Sequence, residues 1–111
     1  YAAEAVPTLR EQYPEITLEI AIPHDGQTAK WPQSLRDRAE SIREEADVIT
    51  WIAHEYTKRC LFDRNYYMVS HCSVLLACFD GQHGGTAQTI ETAHRLGRLV
   101  TVVRPVRRKA A

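Results

Sequence analysis

The residues with most chemistry to offer lie in one string, L-L-A-C-F-D-G-Q-H-G-G-T, running from Leu75 to Thr86. Gly81, Gly84 and Gly85 permit positive φ angles and let a ligand approach the backbone closely. The helix expected to follow leaves its first N–H groups without acceptors and carries partial positive charge there, which suits a phosphate. Thr86 can cap that helix or bond the anion itself. The same residues also make an ordinary tight turn with a threonine cap, so two readings stand side by side. The string is neither G-x-x-x-x-G-K-[ST] nor G-x-G-x-x-G: no lysine follows, and the glycine spacing differs. Asp80 suits ribose hydroxyls, although Asp before Gly is also common turn chemistry.

Other residues join as ligand-binding candidates. Arg64 offers a planar fork of donors for a phosphate, or serves a structural ion pair. Asn65 reads a base or ribose, or caps a local turn. Gln27 and Trp31 follow a strand closed by Pro23 and so lie on the ligand side of the sheet. Trp31 either stacks on a base or is a half-buried lid residue. His83 lies inside the glycine loop and contacts an anion when protonated. His24, His54, His71 and His94 are scattered, no Ser/His/Asp set can be assembled, and no catalytic residue is assigned. Tyr66 and Tyr67 cannot both face a core, so one lines a pocket or an interface. Cys60, Cys72 and Cys78 are an odd number without C-x-x-C spacing and read as thiols in a reducing cytosol. Cys72 beside His71 is the only hint of metal ligation, and no metal or cofactor is expected.

The elements that must position these residues follow from periodicity. Tyr1, Ala2, Ala5, Val6 and Leu9 recur at helical spacing, with Pro7 to kink the helix and Tyr13-Pro14 to stop it. A strand is expected over Ile16–Ile22, then a polar loop from His24 to Trp31. Pro32 takes a first-turn position, and Leu35, Ala39, Ile42 and Ala46 form one helix face. Asp47 separates this helix from a strand over Val48–Ala53. Phe62, Tyr66 and Val69 suggest another helix. Ser73–Phe79 is nearly continuous in apolar residues, the pattern of a parallel strand buried on both faces. A helix over Thr86–Leu96 ends at Gly97, and a last strand, Leu99–Val103, ends at Pro105.

Strands alternating with helices predict a Rossmann-like, doubly wound α/β fold, its mostly parallel sheet covered by helices on both faces. Only four strands are legible, where about five or six are usual, and the sequence opens in mid-helix. Residues 1–111 are therefore expected to be a single, N-terminally truncated domain, with a basic tail over 104–111. Unpaired backbone at an uncovered sheet edge makes a homo-oligomer an expected state. Fourteen basic residues balance fourteen acidic ones, so no global field draws in nucleic acid or a membrane surface. The tail residues Arg104, Arg107, Arg108 and Lys109 read as solvated. With no signal peptide and no apolar run of membrane-spanning length, the expected location is the cytoplasm.

The loop and its surroundings carry a resemblance. R-N-Y-Y-M-V (Arg64–Val69) followed by the glycine string resembles the bacterial YpsA-like proteins, a family of uncharacterised function in the SLOG superfamily. That superfamily also holds the Lonely Guy phosphoribohydrolases and the DNA-processing protein A recombination mediators. Ala2-Ala3-Glu4, Tyr13-Pro14 and A-I-P-H-D-G-Q (Ala21–Gln27) with Trp31 agree as well. The resemblance implies an upstream β-α-β unit whose second loop also faces the ligand. Lonely Guy proteins are similar in having an arginine, then a methionine four residues on, ahead of P-G-G-x-G-T-x-x-E. Arg64 and Met68 match that spacing and Thr86 matches the threonine, but the glutamate expected to assist glycosidic cleavage falls on Thr89. A threonine hydroxyl lacks comparable acid–base capacity, and Glu91 points in another direction on the helix. Ser70 also departs from the aspartate common among YpsA-like proteins. The expected function is binding or sensing of a nucleotide-derived small molecule, ADP-ribose-like or a nucleoside monophosphate, without strong catalysis. The alternative is a nucleotide N-glycosidase using Asp80 or Glu91. A third reading, single-stranded nucleic-acid binding, is disfavoured by zero net charge.

Overall fold

The computed structural model describes residues 2–82 and 84–104. Tyr1, His83, Pro105 and the tail residues Arg107, Arg108 and Lys109 lie outside them. The order is α1 (Ala2–Leu9), β1 (Glu19–Ile22), α2 (Gln33–Glu45), β2 (Val48–Trp51), α3 (Cys60–Ser70), β3 (Val74–Cys78), α4 (Gly85–Arg95) and β4 (Leu99–Val103). Strands alternate with helices and pair in parallel, so the fold is α/β and Rossmann-like. The chain forms two compact units, Tyr1–Arg64 and Asn65–Ala111, which divide within α3.

In the first unit β1 pairs with β2, setting Ile20 beside Ile49 and Ile22 beside Trp51. The strand is shorter than the Ile16–Ile22 run because earlier backbone groups are engaged elsewhere. Ile16 N–H donates to the Tyr13 carbonyl at 3.2 Å in a turn. Leu18 N–H donates to Asp47 Oδ2 at 2.7 Å. The same Asp47 carboxylate receives Arg10, whose guanidinium also donates to the carbonyls of Ile16 and Glu45. Asp47 is therefore more than a separator: it marks the ladder's start. Pro7 lies inside α1, two residues before its end, where its missing N–H interrupts only the last turn. Pro32 caps α2 from just outside, with φ −54°. Leu18, Ile22, Pro23 and Cys60 are buried.

In the second unit β3 pairs with β4, from Val74 beside Leu99 to Cys78 beside Val103. Helix α4 packs on this pair, and Ala77 and Ala93 are buried. The expectation that β3 is buried on both faces is not met among the described residues. Side chains alternate along a strand, so Val74, Leu76 and Leu99 share the opposite face, and they stand 53%, 68% and 71% exposed. Apolar residues on both sides of a strand state what each face would tolerate, not what covers it. The end of α4 is built as expected. Gly97 has φ +72°, its N–H donates to the His94 carbonyl at 3.1 Å, and Arg98 N–H donates to the Ala93 carbonyl at 2.9 Å. This reciprocal pair is a Schellman motif. Arg98 also donates to the carbonyls of Val69 and Ser70, capping the end of α3.

No helix among the described residues is long and apolar enough to cross a membrane.

Candidate phosphate loop and a second cavity

Beyond the carboxyl end of β3 the chain turns through Asp80 and Gly81 and enters α4 at Gly85. Gly81 has φ +93° and Gly84 φ +154°. Gly84, with ψ −164°, is the N-cap of α4 and occupies a region almost restricted to glycine. A Cβ built at Gly81, Gly84 or Gly85 meets nothing within 4 Å, so Gly81 and Gly84 answer to backbone conformation, whereas Gly85 is helical and lacks the positive φ expected of it. Because Gly84 is the cap, Thr86 is not. It sits in the first turn of α4, exposed, and its hydroxyl is not spent on capping. The first described bond of the helix ladder at this end runs from Gln88 N–H to the Gly84 carbonyl at 3.1 Å. By helix geometry the N–H groups of Gly85 and Thr86 have no intrahelical acceptor.

Asp80 is partly committed, since its Oδ1 accepts the Gln82 N–H at 3.0 Å. That is the turn chemistry weighed for it, and it pins the loop through one of the two carboxylate oxygens. A cavity of about 270 Å³ opens against Asp80, Gln82, Gly84, Gly85 and Thr86, with Cys78 and Phe79 behind them. Cys78 and Phe79 were not among the expected site residues, although they stand in the same string. Thr89 donates its hydroxyl to the Gly85 carbonyl at 2.8 Å, one turn back along α4. It is tied to its own helix.

Arg64 and Asn65 lie on α3, both half-buried. Burial holds the Arg64 guanidinium below its usual pKa, partly offset by Cys60. Gln27 and Trp31 belong to the first unit, in the turns between β1 and α2. They line a different cavity, of about 290 Å³, walled by Ile20 and Ile22 of β1 and by Leu35 and Ile42 of α2. Glu4 and Arg38 also line it. Arg38 Nε donates to Glu4 Oε2 at 3.1 Å, and a second, parallel bond closes the pair. Nothing in the sequence signalled this pairing across 34 positions. The structure places Asp80, Gly81, Gly84, Gly85 and Thr86 together at the turn into α4, and within the first unit Gln27 and Trp31 line one cavity. Among the described residues, no group of three or more His, Cys, Asp or Glu is placed to hold a metal ion.

Comparison with known proteins agrees with the earlier resemblance. The model of the YspA SLOG family, named YpsA, matches residues 1–96. A UPF0398 protein of Staphylococcus haemolyticus is 30% identical over 88 residues, 78% of this chain and 47% of its own length. One from Bacillus pumilus is 28% identical over 88 residues, with the same coverage. One from Bacillus cereus is 28% identical over 102 residues, 89% of this chain and 55% of its own length. The chain spans about half the length of these curated relatives.

Proposed function

The chain belongs to the YpsA family of SLOG proteins, and on that premise we propose that it binds a nucleotide-derived small molecule, holding the phosphate at the start of α4. The observation that carries this reading is the capping of α4 by Gly84. It leaves the Thr86 hydroxyl and the first-turn N–H groups facing an open cavity beyond a parallel strand's carboxyl end. Thr89 supports binding over glycosidic cleavage, since its hydroxyl is bonded within the helix and supplies no general acid. ADP-ribose and AMP are the ligands whose chemistry suits the loop.

Cys78 provides the test. It is exposed and lines the loop cavity, whereas Cys60 is buried and Cys72 half-buried. Thiol alkylation is expected to modify Cys78 first, and AMP or ADP-ribose is expected to slow that step while raising the melting temperature. Thr86→Val removes one charge-assisted hydrogen bond, about 1.5–3 kcal/mol, and should weaken binding roughly tenfold to a hundredfold. Release of free base from AMP, abolished by Arg64→Ala, would overturn the reading in favour of an N-glycosidase.

A further inference from the structure

We propose that the cavity of the unit Tyr1–Arg64 is a binding site for a neutral planar heterocycle with an amide-type edge. Size sets the first limit. At about 290 Å³ it sits at the lower end of small-molecule pockets, which run roughly 300–1,000 Å³. It has room for one ring system and a small substituent, not for a dinucleotide.

Charge sets the second. Arg38 is committed to Glu4 through two hydrogen bonds. Arg43 lies 3.8 Å from Glu40 and stacks its guanidinium over Trp51, 5.8 Å from the ring centre. With each of these cations balanced, the wall has little to offer a carboxylate or phosphate. The neutral polar groups left on the lining are the Gln27 carboxamide and the Thr28 hydroxyl. Each both donates and accepts, the pattern that an amide-type heterocycle edge requires.

The apolar walls complete the match. Ile20 and Ile22 on one side and Leu35 and Ile42 on the other exclude water from a flat ring. Trp31, 41% exposed, presents an indole at the rim for stacking. No other described residue hydrogen-bonds the Gln27 carboxamide in a way that would hold it away from a ligand.

The experiment uses the full chain with hypoxanthine and nicotinamide as neutral probes, and benzoate and inorganic phosphate as anionic ones. Binding is followed by NMR chemical shifts. At least one neutral probe is expected to saturate in the millimolar range or below. Trp31→Leu should weaken it about tenfold, in line with the loss of one stacked contact, and Gln27→Leu about fivefold, in line with one neutral hydrogen bond. Added phosphate should leave it unchanged. If Trp31→Leu fails to fold, the loop variant Gln27→Leu carries the test alone. No saturable binding of either neutral probe, tighter binding of benzoate than of both, or an unchanged affinity in Gln27→Leu sinks the proposal. None of these outcomes bears on the phosphate loop, whose failure would appear as AMP binding indifferent to Thr86→Val.

Discussion

At Glu4 the carboxylate is held below its ordinary pKa of 4.5, chiefly by the hydrogen bonds from Arg38 and further by that guanidinium's charge. A depressed folded-state value means stability present above the unfolded pKa and lost as the pH falls through the folded one. The α1–α2 tie is therefore expected to be intact at neutral pH and to loosen on acidification below about 4.5. NMR titration of the Glu4 carboxyl group checks this, and Arg38→Gln should return it to the ordinary range. The Glu4–Arg38 pair was invisible in the sequence because ionic partners 34 positions apart leave no periodic trace. The place of Thr86 in the first turn of α4 was legible, but the cap expected of it falls on Gly84, whose backbone conformation only a glycine readily adopts. Asp80 was legible as a turn residue, and the Gln82 N–H bond to its Oδ1 shows that part of its role.

Among the elements, α4 was read most closely at its C-terminal end, because that end is built locally. Gly97 holds φ +72°, a conformation that costs an L-residue about 1–2 kcal/mol. Gly97→Ala is accordingly expected to lower stability by about that much, measured by urea unfolding, although the added methyl meets nothing within 4 Å. Strand β3 shows where local reading stops. Its apolar run predicted coverage on two faces, and α4 covers one. Leu76→Ser on the open face should change stability by no more than about 0.5 kcal/mol. Val69→Ala, at a position with 0% exposure, should cost about 2 kcal/mol or more. Equal losses in the two variants would mean that the Leu76 face is covered in solution. The same unfolding series answers it.

For the molecule as a whole, what matters is that candidate ligand residues fall into two groups with different chemistry. The glycine loop offers backbone donors, a hydroxyl and an open cavity to an anion. The Gln27–Trp31 cavity offers apolar walls and neutral polar groups beside a closed ion pair. Each group follows a strand's carboxyl end, as the sequence implied. A competition titration of AMP against hypoxanthine by calorimetry tells one shared site from two.

The sequence by itself determined the kinds and order of the elements, the C-terminal capping of α4 by Gly97 and the glycine positions of the loop. Those depend on dihedral preference and on side-chain period over a few residues. It also carried the family resemblance, through Arg64–Val69 and Gly84-Gly85-Thr86. Only the tertiary structure decided where the ladder of β1 begins, which face of β3 stays open, and which polar groups neutralise one another around Trp31. Each depends on a partner far along the chain: Asp47 for Leu18, α4 for Ala77, Arg38 for Glu4. Contacts at that separation are settled by packing, and a linear pattern holds no record of which distant group will arrive.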